Sequence, residues 1–420
     1  MKYINRTIEK KLDEMQGAFP VILVTGARQS GKSTLLEYIN NTYEKKINYV
    51  TLDDMMERAN AIEDPEKFLR SHDAPLIIDE FQYAPNLLSY IKMRVDQARK
   101  NELFGDGEKP GTLYYLTGSQ VFQTMKNVSE SLAGRIGILE LNPLSTREIY
   151  KKEEKCFIPD IKQLKDKEKI DYETVNKIFE RILKGSYPIL YNGEEKNLEN
   201  FYSAYIKTYI ERDIRELINI KDEIKFLKFI SAVAARTGQE YNASDIGKDV
   251  GIDNKTVDEW MSILKNTYLV YFLQPYTNNV VSRAIKRPKI YFMDTGLACY
   301  LAGYLDARTL ERSAYSGAIF ETYVISEIIK SYDNNVRDPR LHLYYYRDNN
   351  GKEIDLLILH ENTIYPVEIK KGANPGKESV KNFNVIENFE MNSPNGIVIC
   401  LTKDIHAIDE KNYMIPLEYL

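Results

Sequence analysis

Val21-Ile22-Leu23-Val24 runs through Thr25 into Gly26-Ala27-Arg28-Gln29-Ser30-Gly31-Lys32-Ser33, and then into Thr34-Leu35-Leu36-Glu37-Tyr38-Ile39. The first stretch is apolar and β-branched, as a buried parallel strand requires. The last spaces its apolar residues as a helix does. Between them lies a complete G-x-x-x-x-G-K-[ST] loop, so strand, glycine loop and helix follow in the order a phosphate-binding loop needs. Its glycines let backbone N–H groups curl around phosphates, and the helix N-terminus adds its positive dipole end. Residues Gly26 to Thr34 are therefore expected to hold a nucleoside triphosphate. Lys32 is expected at the β/γ-phosphates and Ser33 on Mg²⁺.

Hydrolysis needs an acid at the end of a neighbouring strand. Leu76-Ile77-Ile78-Asp79-Glu80 supplies one, with Asp79 placed to hold Mg²⁺ and Glu80 to polarise the attacking water. A third strand, Leu113 to Thr117, ends in Gly118-Ser119-Gln120, where Ser119 is expected to sense the γ-phosphate. Just beyond, Leu132-Ala133-Gly134-Arg135 offers an arginine for transition-state charge, in cis or on a neighbouring subunit. An ordinary surface arginine is the competing reading of Arg135.

The chain has 420 residues, a net charge of −5, three cysteines and four histidines. That length implies several domains, and the acidic balance excludes a global pull toward nucleic acid. Cys156, Cys299 and Cys400 are scattered, which fits a reducing cytoplasm better than a disulfide framework. The histidines show no metal-ligand spacing, the first residues lack an apolar signal segment, and no apolar run reaches the roughly eighteen residues of a membrane span.

The P-loop module is expected to extend to about residue 220, with a Lys/Glu-rich, solvated stretch from Tyr150 to Asp171 and helices after it. Residues 221–300 read as a winged helix. Ala243 to Val250 and Asn254 to Lys265 form two helices around Gly251-Ile252-Asp253, and strands at Leu269 to Leu273 and Lys289 to Phe292 stand where a wing would. The second helix exposes Lys255, Asp258, Glu259 and Lys265, a mixed set. The loop bearing Arg283, Lys286, Arg287 and Lys289 is basic enough to grip a DNA backbone.

In residues 301–420, Glu353-Ile354-Asp355 and Val367-Glu368-Ile369-Lys370 read as neighbouring strands. Period-two geometry puts Glu368 and Lys370 on one face. An acid facing an acid-x-Lys is an arrangement found in metal-dependent phosphodiesterases. Asp355 and Glu368 would hold Mg²⁺, Lys370 would orient water, and Glu321 could add a ligand. An edge hairpin with charges facing water fits the same spacing.

The chain resembles prokaryotic AAA-type ATPases that carry a C-terminal domain of unknown function. The resemblance rests on Gly26-Ala27-Arg28-Gln29-x-Gly31-Lys32, Ile78-Asp79-Glu80, Thr117-Gly118-Ser119 and Leu132-Ala133-Gly134-Arg135. It continues through Tyr291-Phe292-Met293-Asp294-Thr295-Gly296-Leu297, Phe320-Glu321, Arg347, Glu353-Ile354-Asp355 and Val367-Glu368-Ile369-Lys370. Two departures are Ser30 and Ser33, where the family often has Val and Thr, and Ile354, where the nuclease-like signature often has Pro. The resemblance implies an α/β multidomain chain: an AAA-type core with a parallel sheet, a winged helix, and a restriction-endonuclease-like PD-(D/E)xK domain. It implies ATP as the nucleotide, and an ATPase coupled to a DNA-associated nuclease-like module. It leaves open a nucleotide-dependent switch or scaffold that recruits a protein partner, and also assembly into a homo-oligomer.

Overall fold

A computed structural model describes residues 3–42, 46–105, 111–118, 132–193, 196–209, 223–277 and 287–420. Ser119, Arg283 and Lys286 lie outside the described residues. The chain divides into two compact units.

The first unit comprises Met1–Leu144 with Asn266–Tyr268 and Asp333–Val336. Its centre is a five-stranded sheet of β1 (Val21–Thr25), β2 (Asn48–Thr51), β3 (Leu76–Asp79), β4 (Tyr114–Gly118) and β5 (Ile136–Glu140), ordered β2-β3-β4-β1-β5. Every pairing is parallel. Alternate side chains face opposite layers. Val21, Leu23, Leu76, Ile78 and Leu116 join one core, while Ile22, Val24, Ile77, Tyr115 and Leu139 join the other. Each such fully buried aliphatic chain contributes about 1.5–3 kcal/mol, which is why these strands read as apolar runs. Register aligns Thr25 with Gly118 and Glu140, and Thr51 with Asp79. The strand ends therefore share one edge, the crevice in which parallel α/β sheets bind ligands. Helix α1 (Lys32–Thr42) leaves this edge, and α2 (Leu87–Phe104) covers a sheet face with Leu87, Leu88, Ile91 and Val95.

The second unit comprises Ser145–Lys265, Leu269–Tyr332 and Arg337–Leu420. The expected boundary near 220 is thus not where the compact units divide. Helices α3 (Val175–Lys184) and α4 (Leu198–Thr208) bury Ile178, Phe179, Ile182, Tyr202 and Tyr205 in the same core as the C-terminal strands. The stretch from Tyr150 to Asp171 is also less solvated than its charge suggests, because Phe157, Leu164 and Ile170 anchor it below 4% exposure. Helices α5 (Glu223–Ala234), α6 (Ala243–Val250) and α7 (Asn254–Asn266) follow, with Gly251 left-handed at the turn. Val257, Trp260, Met261 and Leu264 form the buried face of α7. β6 (Val270–Leu273) and β7 (Lys289–Phe292) pair antiparallel.

Helix α8 (Ser316–Asp333), buried on almost every side, packs into the same core. A six-stranded mixed sheet closes the unit. It contains β8 (Leu343–Arg347), β9 (Glu353–His360), β10 (Thr363–Lys370), β11 (Gly396–Cys400), β12 (His406–Ala407) and β13 (Asn412–Pro416), ordered β12-β13-β11-β10-β9-β8.

Candidate functional site

The loop after β1 is shaped by residues that ordinary side chains could not replace. Gly26 has φ 143°, and a Cβ there would lie 2.1 Å from the Leu141 carbonyl oxygen. Gly31 at φ 97° and Gln29 at φ 60° complete the left-handed path. Lys32 is buried at the start of α1, and its ammonium donates to the carbonyls of Gly26 at 3.2 Å and Ala27 at 3.0 Å. Ala27 and Ser30 are buried, Arg28 is half-buried, and Gln29 and Thr34 are exposed. Among the described residues the buried Ser30 hydroxyl has no hydrogen-bond partner.

Asp79 is the hub of the adjoining strand ends. Its carboxylate accepts from the Ser33 hydroxyl at 2.8 Å, from Tyr49 at 3.0 Å, and from the Thr117 hydroxyl. Thr117 in turn accepts the Glu80 N–H at 3.0 Å. This holds Glu80 in a left-handed conformation, φ 55° and ψ 42°, with its carboxylate on the Gln82 amide. Burial, with the Asp79 charge beside it, pushes the Tyr49 hydroxyl well above its usual pKa. A serine hydroxyl against a carboxylate is a donor set suited to a small hard cation such as Mg²⁺.

Arg6 supports the loop from behind. It is 6% exposed and donates to the Ser30 carbonyl at 3.0 Å and the Asn142 carbonyl at 2.7 Å. Arg6, Tyr49, Thr117 and Gln82 were not legible as site residues. The strand-end position of Thr117, two before Ser119, was the one usable signal.

Arg135 sits at the far end of β1 from the loop. Its carbonyl accepts from Val21 N, at the start of β1, whereas the loop follows the strand's end. At about 3.3 Å per residue the strand puts them roughly 13 Å apart. The guanidinium instead pairs with Asp96 of α2 at 2.6 Å.

In the second unit, Asp355, Glu368 and Lys370 come together on neighbouring strands. Asp355 on β9 accepts the Ile369 N–H at 2.9 Å, just past the point where the recorded β9–β10 ladder ends at Val367 opposite Leu356. Lys370 donates to Glu368 at 2.6 Å and stands 3.8 Å from Asp355. Glu321 on α8 accepts from Tyr291 at 2.6 Å and from Lys289 at 3.3 Å. Burial first, and then the Asp355 charge, raises both Glu321 and Glu368 far above an ordinary glutamate.

Lys289 requires a correction. Rather than presenting charge on a basic loop, it is 4% exposed and pairs with Glu321 and, at 2.6 Å, with Glu353. Period-two spacing on β7 turns Lys289 inward along with Tyr291. Arg287 is exposed. Arg347 bridges Glu240 at 3.4 Å and Glu353 at 3.7 Å. Among the described residues, no group of three or more His, Cys, Asp or Glu side chains is disposed to hold a metal ion. The expected ligand set of Glu321, Asp355 and Glu368 is therefore not assembled as one.

The Tyr291 to Leu297 motif has a packing explanation. Asp294 caps the helix Thr295–Leu301 by accepting from Leu297 N, and also accepts from Ser186 and from Tyr202. A Cβ on Gly296 would lie 2.1 Å from the Tyr202 hydroxyl.

Comparison with known proteins fits the first unit's geometry. Residues 18–150 match the AAA domain family. That stretch holds the glycine loop after β1 and the strand ends around Asp79. Residues 175–308 and 316–420 match two domains of unknown function, DUF8612 and DUF4143. An uncharacterised protein of Mycobacterium tuberculosis is 25% identical over 358 residues, covering 85% of this chain and 71% of its own, as is one of Mycobacterium bovis. Among solved structures, the Walker-type ATPase PABY2304 of Pyrococcus abyssi aligns with TM-score 0.43 at 16% identity, covering 71% of this chain and 96% of that one. The ORC2 protein of Aeropyrum pernix aligns with TM-score 0.32 at 13% identity, covering 75% and 92%. Neither score is high enough to carry weight beyond the AAA-domain match. No helix among the described residues is long and apolar enough to cross a membrane.

Proposed function

We propose that this protein binds ATP with Mg²⁺ and hydrolyses it at the edge of the parallel sheet. One observation carries the reading: Lys32, the Ser33–Asp79 contact and Glu80 meet at the same strand ends. Ser33 and Asp79 are the residues that would hold Mg²⁺, which supplies charge neutralisation for the phosphates. Lys32 exchanges neutral carbonyls for phosphate oxygens. Glu80 orients and polarises the attacking water once its carboxylate leaves the Gln82 amide.

For the second unit, the proposal reads residues 221–300 as a winged helix and 301–420 as a restriction-endonuclease-like domain, with 1–220 as the ATPase portion. Support for the nuclease-like reading is the convergence of Asp355, Glu368 and Lys370 on adjacent strands. ATP turnover would then drive a DNA-associated module in the cytoplasm, with the exposed Arg287 contributing to its basic loop and neighbouring copies completing each site. Burial of Lys289 among the carboxylates favours the second reading, a nucleotide-dependent switch or scaffold that recruits a protein partner through a domain that does not cut. Steady-state ATP hydrolysis by wild type and Lys32→Ala, with and without DNA whose integrity is scored in the same tubes, separates them. Turnover stimulated by DNA and lost in the variant supports the DNA-coupled module, and nicking adds cleavage. Turnover indifferent to intact DNA supports the switch. Equal turnover in both proteins removes the ATPase proposal itself.

A further inference from the structure

The carboxylate cluster of the second unit is built from two stretches of chain that match different families. Glu321, Glu353, Asp355, Glu368 and Lys370 lie at or beyond the helix at 316, whereas Lys289 and Tyr291 come from β7, within the stretch 175–308. β7 lends them as a pair because residues two apart on a strand share a face. We propose that Lys289 serves as the cation of this cluster, closing it as an internal ion-pair joint that takes no divalent metal.

The geometry supports this from several sides. Lys289 is 4% exposed, so its charge is desolvated and must be matched by close partners. Glu353 at 2.6 Å and Glu321 at 3.3 Å provide them from a strand and a helix. One oxygen of each expected metal ligand is already engaged. Glu321 accepts from Tyr291 as well as Lys289, Asp355 accepts a backbone N–H of β10, and Glu368 accepts from Lys370. Among the described residues no three acids converge as an ion would require. The ammonium groups of Lys289 and Lys370 thus stand against the cluster's carboxylates where an ion would otherwise sit. A lysine held this way also ties the β6–β7 hairpin to α8 and β9, so the joint fastens elements that match separate families.

The test is calorimetric titration of Mn²⁺ into the full chain without nucleotide, and it does not depend on ATP turnover. Wild type and Asp355→Asn are expected to give the same isotherm, because no ion binds there. Lys289→Met is expected to gain a Mn²⁺ site at least about tenfold tighter than any the wild type shows, and Lys289→Met with Asp355→Asn to lose it again. A stoichiometric wild-type site that disappears in Asp355→Asn overturns the proposal. A folded Lys289→Met protein with the wild-type isotherm overturns the role given to Lys289. If Lys289→Met does not fold, the comparison of wild type with Asp355→Asn still decides whether an ion binds.

Discussion

Two buried lysines are held by different kinds of acceptor. Lys32 donates to the carbonyls of Gly26 and Ala27, which are neutral acceptors, while Asp79 nearby is engaged by hydroxyls. Lys289 is clasped by Glu321 and Glu353. A charged hydrogen bond to a carbonyl is readily outcompeted by a phosphate oxygen, whereas a buried lysine–carboxylate pair is costly to break. On the proposed readings, the same residue type serves a ligand site in one unit and a structural joint in the other. Spacing along the chain does not distinguish them.

The largest expected effect tests the first half of that contrast. Glu80→Gln should lower steady-state ATP hydrolysis by about a hundredfold or more, the range for removing a positioned acid–base group, while equilibrium binding of a fluorescent ATP analogue persists. Hydrolysis within a few-fold of wild type would take Glu80 out of the water-polarising role. Next in size is Arg6→Ala. The loop would lose a buried guanidinium that braces the Ser30 and Asn142 carbonyls, and hydrogen bonds to charged groups are worth about 1.5–3 kcal/mol each. Denaturant unfolding should show a loss of that order, with weaker nucleotide binding. Unchanged stability would mean that the loop keeps its shape without this brace.

The joint should reveal itself through pH. Glu321 is pushed from 4.5 up to about 7 and Glu368 from 4.5 up to about 8. Raised acids favour the folded state only while protonated. Their contribution is fully present below pH 4.5 and is lost as pH rises through 7 to 8. Thermal unfolding should therefore show stability falling across that window, less steeply in Glu368→Gln. Equal slopes in the two proteins would mean that Glu368 ionises in the fold as freely as in the unfolded chain.

How far the sequence could be read follows from how local each feature is. The β1–loop–α1 unit was legible because strand, glycines and helix are contiguous, and Asp79 followed from an apolar run ending in acids. The same locality exposed the two helices around Gly251 and the β9 and β10 strands. Arg6 carried no signal, since its partners Ser30 and Asn142 come together only through the fold. Lys289 misled for a related reason. In sequence it closes a run of four basic residues, but strand alternation turns it inward, toward acids from α8 and β9. The stretch from Tyr150 to Asp171 misled through composition, because charge density conceals three well-spaced apolar anchors, Phe157, Leu164 and Ile170.

The smallest effect concerns Arg135 and sharpens the contrast within the first unit. Its ion pair with Asp96 is partly exposed, with side chains 25% and 33% accessible, and such pairs are worth about 0–1 kcal/mol. Arg135→Ala should therefore leave stability nearly unchanged. Strand polarity keeps the residue away from its own loop, so ATP turnover at high dilution should also match the wild type. Any role in catalysis must then come from a neighbouring copy, and the variant would show its defect only as protein concentration rises. A loss of turnover that is the same at every concentration would mean that Arg135 acts within its own chain, against the polarity of β1 and β5.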